Sequence, residues 1–241
     1  IFCYQSGVLI ISINLRIFLV KINRILIFGY GNIAKKHSKI LKGLIPNVKI
    51  KFYRNSKKTS KTNNLFLYEK NQITNYSPDL AIIANPSSLH LKTSKYFIKN
   101  NIPVFIEKPV SDKYKKCLDF LKLCKDNQSK VFVGYNLIFS EGFKIIKKNI
   151  DKNFGKIFLV KSEVGYNLKY WRKNINYKNS VSAIKNMGGG VLLELSHEMN
   201  YLQNLFGQII KVDAFYNKLS DYSINVEDYA DMRIFFKKSK N

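Results

Sequence analysis

The sequence predicts an α/β fold: a parallel sheet with helices on both faces, followed by a second, α+β domain. Three observations carry this. Short apolar runs alternate with helical segments up to about Asn136, as in a parallel sheet wound by helices. The first of these runs leads directly into a glycine turn and then a helix. Beyond Asn136 the rhythm changes to longer strand-like runs around one helix.

Arg24–Phe28 is a short apolar run, and Asn32–Leu44 has helical spacing. Val48–Tyr53 alternates at period two. Leu80–Ala84, Val104–Ile106 and Val131–Gly134 are further short strands. Tyr114–Lys125 reads as a helix with Cys117, Leu121 and Cys124 on one face. Later come the strand candidates Lys156–Val164, Gln208–Tyr216 and Tyr229–Phe236, and the helix Val191–Phe206. The chain stops just after Met232–Phe236, so the second domain reads as a fragment lacking its C-terminal end. Three segments follow: 1–21, an N-terminal extension of unclear role; 22–136, a domain of alternating strands and helices; and 137–241, an incomplete C-terminal domain.

The 241 residues carry 41 Lys+Arg against 16 Asp+Glu, a net charge of +25. Arginine occurs only at Arg16, Arg24, Arg54, Arg172 and Arg233, so the charge is mostly lysine spread along the whole chain. Nucleic-acid readers lean on arginine forks and clustered charge. No zinc spacing, RNA-binding aromatic motif or helix-turn-helix accompanies the lysines here, so no nucleic-acid partner is expected. The apolar start of the chain is interrupted by Gln5, Ser6, Asn14 and Arg16. Its central run Gly7–Ile13 is too short to span a bilayer, and no membrane association is expected. Three cysteines without metal-ligand spacing imply neither a disulfide scaffold nor a metal site, and suggest a reducing, cytoplasmic setting.

Ile25-Leu-Ile-Phe-Gly29-Tyr-Gly31-Asn32-Ile33-Ala34 is the G-x-G-x-x-A form of the dinucleotide fingerprint, set between a strand and a helix. Gly29 permits the tight turn and Gly31 lets a pyrophosphate approach the backbone. Ala34 lets helix and strand pack closely, and Asn32 and Ile33 complete the turn. The next strand ends in Tyr53-Arg54-Asn55-Ser56-Lys57, without the acid that bonds the ribose of NAD. Arg54, Ser56 and Lys57 suit a 2′-phosphate instead, so the cofactor is NADP or NAD, with NADP favoured. Asn85, Pro86, Ser87 and His90 follow a strand end, where open α/β sheets bind ligands. A simpler role for Ser87 or Ser88 is to cap the following helix. Glu107-Lys108-Pro109 follows the next strand, which puts a lysine where acid–base work is needed.

Taken in order, Gly29-x-Gly31-x-x-Ala34, Asn85-Pro86…His90, Glu107-Lys108-Pro109, Val133-Gly134-Tyr135-Asn136 and Gly188-Gly189-Gly190…His197 resemble the Gfo/Idh/MocA oxidoreductases. The most specific part is Tyr166-x-Leu168…Trp171-Arg172…Tyr177…Gly188…Glu194…His197…Asn200-Tyr201. The resemblance implies hydride transfer between nicotinamide and a hydroxyl carbon of a sugar, nucleotide-sugar or cyclitol. It makes Lys108 and His197 catalytic, with Lys108 beside the nicotinamide and His197 facing the substrate hydroxyl. Glu107 would reach the cofactor ribose, and Lys108–Pro109 would be a cis peptide. Tyr135, Asn136, Trp171, Arg172 and Tyr177 would meet a small sugar-type substrate. The resemblance also implies that 22–136 is a Rossmann NAD(P)-binding domain and that 137–241 is an incomplete substrate and oligomerisation domain with an open, mostly antiparallel sheet, and it implies a homo-oligomer for a full-length chain.

The sequence also departs from the family. Leu193 stands where many members place an Asp one turn before the histidine, and Glu194 is the substitute at hand. Asn200 and Ile138 replace an Asp and an Arg that are common in the family. These departures keep open the alternative of a non-catalytic dinucleotide-binding relative. His37, on the first helix, reads as packing rather than catalysis.

Overall fold

Runs of Ile, Leu, Val and Phe with no polar alternation suit strands buried on both faces, and such strands pair in parallel beneath helices. The computed structural model describes every residue except 1, 6–7, 14–15, 21, 55–62, 173–174 and 238–241. It divides into two compact units, Ile1–Gly134 and Tyr135–Asn241.

The first unit opens with an antiparallel meander of β1 (Phe2–Gln5), β2 (Val8–Ile13) and β3 (Arg16–Val20). A six-stranded parallel sheet follows. It is built from β4 (Arg24–Phe28), β5 (Lys49–Tyr53), β6 (Phe66–Leu67), β7 (Leu80–Ile83), β8 (Val104–Ile106) and β9 (Val131–Val133). Its strand order is β6-β5-β4-β7-β8-β9, every pair parallel. That is the doubly wound order whose direction reverses between the first and fourth strands, here β4 and β7. The expected α/β class is therefore observed, with a separate antiparallel pair in the second unit.

The helices of this unit are α1 (Asn32–Leu44), α2 (Lys70–Tyr76), α3 (His90–Lys99) and α4 (Tyr114–Asp126). Two apolar clusters form its core. One gathers Ile25, Ile27, Ala34, Ile50, Phe52 and Ile82. The other gathers Leu26, Ile83, Leu91, Phe97, Ile98, Val104 and Ile106. Removing such a side chain from water contributes roughly 1.5–3 kcal/mol. On α4 the buried face runs through Cys117, Phe120, Leu123 and Cys124, while Leu121 is 55% exposed. The expected face was thus rotated, because Phe120 outweighs Leu121 as the residue to bury.

The second unit holds α5 (Glu141–Lys152), α6 (Leu168–Trp171), α7 (Val191–Glu194), α8 (His197–Phe206) and the antiparallel pair β10 (Ile209–Asn217) and β11 (Tyr229–Phe236). Two expectations are corrected here. Lys156–Val164 forms no strand; Phe158 and Leu159 are 84% and 88% exposed, with no neighbouring strand to pair. The single helix over Val191–Phe206 is instead two, interrupted at Leu195 and Ser196. No described helix is long and apolar enough to cross a membrane.

Candidate functional site

In the first unit the candidate residues line the carboxyl ends of β4, β5, β7 and β8. Gly29 leaves β4 with φ 98°, and a Cβ there would stand 2.6 Å from the Ala84 carbonyl oxygen. Glycine is required on both counts. Gly31 is different, since a Cβ there would meet nothing within 4 Å. It is the N-cap of α1, whose first turn has no side-chain cap and no acidic residue. The N–H groups of Asn32, Ile33 and Ala34 are therefore orphan donors at the positive end of the helix dipole. That arrangement fits a pyrophosphate. Ala34 is fully buried among Ile25, Ile27 and Ile50, which seats the helix close on the sheet.

Arg54 continues β5, and its guanidinium lies 5.6 Å from the Tyr30 ring centre and 5.3 Å from that of Phe66. Lys35 reaches the same Tyr30 ring at 4.6 Å. Two cations thus lie against one aromatic ring, that of the residue between the two glycines. Sequence reasoning did not single out Lys35; its place one residue past Ala34 was the available signal. Ser56 and Lys57, also expected near a 2′-phosphate, lie outside the described residues.

After β7, Asn85 donates from Nδ2 to Thr93 Oγ1 at 2.9 Å, while its Oδ1 is buried without a partner among the described residues. A spare acceptor at the reversal of strand order suits a ligand donor. Pro86 turns the chain, and Ser87, itself buried, begins a 3-10 turn with Ser88. The N-cap of α3 is Leu89, so neither serine caps that helix. His90 does not face the crevice as expected: it is 1% exposed, with Nδ1 2.9 Å from the Pro109 carbonyl oxygen and Nε2 2.8 Å from that of Asn85. Burial holds this imidazole below its usual pKa, although both carbonyls and the charges of Glu107 and Asp112 pull the other way.

After β8, Glu107 accepts a 2.5 Å contact from His37 Nε2, and Lys108–Pro109 is a cis peptide. The His37 ring also packs edge-on against Phe105, with 5.3 Å between centres. His37 is therefore more than packing, since its ring is a hydrogen-bond partner of a candidate cofactor residue. Its spacing of three from Ala34 on one helix face was the signal. Burial pushes the Cys117 and Cys124 thiols up, away from the reactive thiolate form.

In the second unit, Tyr135 and His197 meet edge to face at 5.6 Å, and the Tyr135 hydroxyl reaches Ser196 Oγ at 3.4 Å. His197 is the first residue of α8, just past the helix break. Glu194 ends α7, so the one-turn relation to His197 expected of a continuous helix does not apply. Glu194 accepts instead from Ser182 Oγ at 2.8 Å, and Ser182 accepts from Arg172 Nη2 at 3.2 Å. Trp171, Arg172 and Tyr177 line one small recess with Leu168, Ile175 and Ser180. The Ser180 hydroxyl is buried there without a partner among the described residues. Asn136 is exposed, at the start of the 3-10 turn Leu137–Phe139.

Residues 23–135 match the model of an oxidoreductase family with an NAD-binding Rossmann fold, GFO_IDH_MocA. Over 136 residues the chain is 29% identical to the 2,7-anhydro-N-acetylneuraminate hydratase of Escherichia coli (strain K12), covering 54% of this chain and 34% of that protein. The matched stretch thus spans about a third of the curated relative. Among solved structures, the dehydrogenase WlbA of Chromobacterium violaceum, in complex with NADH and UDP-GlcNAcA, aligns with a TM-score of 0.77 at 20% identity, covering 89% of this chain and 64% of that one. WlbA of Bordetella pertussis, with the same ligands, aligns at 0.75 and 18% identity, covering 89% and 63%. At these identities the structural likeness shows the fold.

Proposed function

Because residues 23–135 belong to the Gfo/Idh/MocA oxidoreductases with their NAD-binding Rossmann fold, we propose that the protein transfers hydride between a nicotinamide cofactor and a hydroxyl carbon of a sugar, nucleotide-sugar or cyclitol. The observation that carries this is the uncapped, acid-free start of α1 at the reversal of strand order, beside the Glu107-Lys108-Pro109 turn. NADP is the preferred cofactor. Arg54, with Lys35 against the same Tyr30 ring, supports that preference, and no carboxylate precedes Glu69 to bond a ribose diol.

Gly29, Gly31, Asn32, Ile33 and Ala34 hold the pyrophosphate through backbone N–H groups. Asn85 offers its acceptor, and Glu107 bonds a ribose hydroxyl. When bound, the nicotinamide supplies the hydride acceptor. His197 takes the proton of the substrate hydroxyl, and Lys108 stabilises the developing alkoxide with its ammonium. Tyr135, Asn136, Trp171, Arg172, Tyr177 and Glu194 select the substrate.

Nicotinamide fluorescence on titrating NADH and NADPH into the chain tests the cofactor reading, with Gly31→Glu as control. Saturable binding that the control loses at least a hundredfold is expected, with NADPH the tighter. Saturation that the control retains would sink the glycine-turn site. The name of the Escherichia coli relative supports a second reading, a net hydration. Steady build-up of reduced cofactor with a turned-over sugar distinguishes the hydride-transfer reading from it.

A further inference from the structure

The chain has three histidines, and two of them converge on one tripeptide. His37, from α1, holds the Glu107 carboxylate at 2.5 Å. His90, the first residue of α3, lies 2.9 Å from the Pro109 carbonyl oxygen. These are the residues immediately before and after Lys108. The other ring nitrogen of His90 lies 2.8 Å from the Asn85 carbonyl oxygen, so the neutral ring donates to one of the two carbonyls and packs against the other, between the turns after β8 and β7. His90 is 1% exposed and cannot itself touch a solvent-borne ligand. The surroundings leave little slack: a Cβ at Gly134 would stand 3.2 Å from Glu107 Oε1 and from the Phe105 ring.

A lysine has four rotatable side-chain bonds, so the placing of its ammonium depends on how firmly its backbone is held. Catalytic geometry tolerates displacements of only about 0.5 Å, and supporting hydrogen bonds keep it within that limit. We propose that His37 and His90 are positioning residues that brace the Glu107-Lys108-Pro109 turn from two helices and thereby fix Lys108. The two braces differ in kind. His37 grips a side chain from the helix whose start faces the pyrophosphate. His90, through the one N–H of its neutral ring, grips a main-chain carbonyl from within the core. The role rests on the reading of Lys108 as the lysine beside the nicotinamide, but the brace is measurable without cofactor.

Reductive methylation of the full chain with formaldehyde and a borane, resolved residue by residue by mass spectrometry, reads how tightly each lysine is held. Lys122, on the exposed side of α4, serves as the internal reference. With no cofactor present, Lys108 is expected to label at least threefold faster in His37→Leu and His90→Leu than in the unaltered chain, while Lys122 keeps its rate. His90→Gln retains an N–H donor at this place and is expected to stay within twofold of the unaltered chain. Equal Lys108 rates throughout, or Lys108 and Lys122 accelerated together, overturn the brace. If His90→Leu loses its cooperative thermal transition, His37→Leu, altered on the partly exposed side of α1, carries the test. An unchanged Lys108 rate there overturns the proposal.

NADPH titration of the same chains keeps the two readings apart. Binding by the unaltered chain with unmoved labelling rates in the variants sinks the brace and keeps the cofactor reading. Faster Lys108 labelling in variants of a chain that binds neither nucleotide keeps the brace and sinks the cofactor reading.

Discussion

Strand β4 is buried from Ile25 to Phe28, whereas β10 is exposed from Ile210 to Asn217. The contrast extends to whole units. Among the described residues, the buried apolar set draws only Ala183, Leu202 and Val226 from the second unit, and all its other members from the first. In the first unit, candidate residues are placed by a core: strand ends are fixed because their strands are fixed. In the second unit they are placed by polar links such as Arg172–Ser182–Glu194 and by ring contacts such as Tyr135–His197. The two kinds of placement respond to different perturbations.

Phe97, fully buried beneath the sheet, should give the largest effect. Phe97→Ala is expected to cost about 3–5 kcal/mol in urea unfolding and to abolish NADPH binding. Leu202→Ala, at 9% exposure in the second unit, is expected to cost about 2 kcal/mol. Equal costs would erase the contrast between the units. Arg54→Ala sharpens the first region: NADPH affinity is expected to fall about tenfold, or ~1.4 kcal/mol, with NADH affinity within twofold. An equal loss for both nucleotides would remove Arg54 from the 2′-phosphate reading.

The smallest effect belongs to Asp228. It accepts from the Leu219 and Ser220 N–H groups and from the Ser220 hydroxyl, tying the loop between β10 and β11. Partial burial pushes its carboxyl up, but those bonds and the Lys218 charge outweigh it and hold the pKa below the usual value. A lowered carboxylate pKa gives stability that is complete above the unfolded value of about 4 and is lost as pH falls through the folded one. Asp228→Asn is therefore expected to cost about 1 kcal/mol at pH 7, and progressively less as pH falls through the lowered pKa of the folded state. A gap that is constant with pH, followed by circular dichroism melts, would contradict this.

The first unit was legible because its signals are local. The run Arg24–Phe28 and the helix Asn32–Leu44 appear with the bounds their apolar spacing predicts, since buried strands and a glycine-led helix need little outside context. The second unit was less legible because its outcomes depend on partners. Lys156–Val164 has the composition of a strand but no strand to pair with among the described residues. Val191–Phe206 has helical spacing throughout, yet Gly190, at φ 107° and under the Glu227 carboxylate, starts a short helix that ends before Ser196. At the candidate site, the glycine turn and Glu107-Lys108-Pro109 could be read from the sequence. The grips of His37 and His90 could not, because each joins residues far apart in the chain: His37 to Glu107 and His90 to Pro109.

Trp171, which lines the small recess of the second unit, is the single tryptophan of the chain. It stands 6.0 Å from the Tyr166 ring and 5.9 Å from the Arg172 guanidinium. Excited selectively at the red edge of protein absorption, the chain therefore emits from the second unit alone. Nicotinamide emission, excited at longer wavelength, would answer for the first. The second unit thus has its own optical channel with no label added, and its melting can be followed by itself.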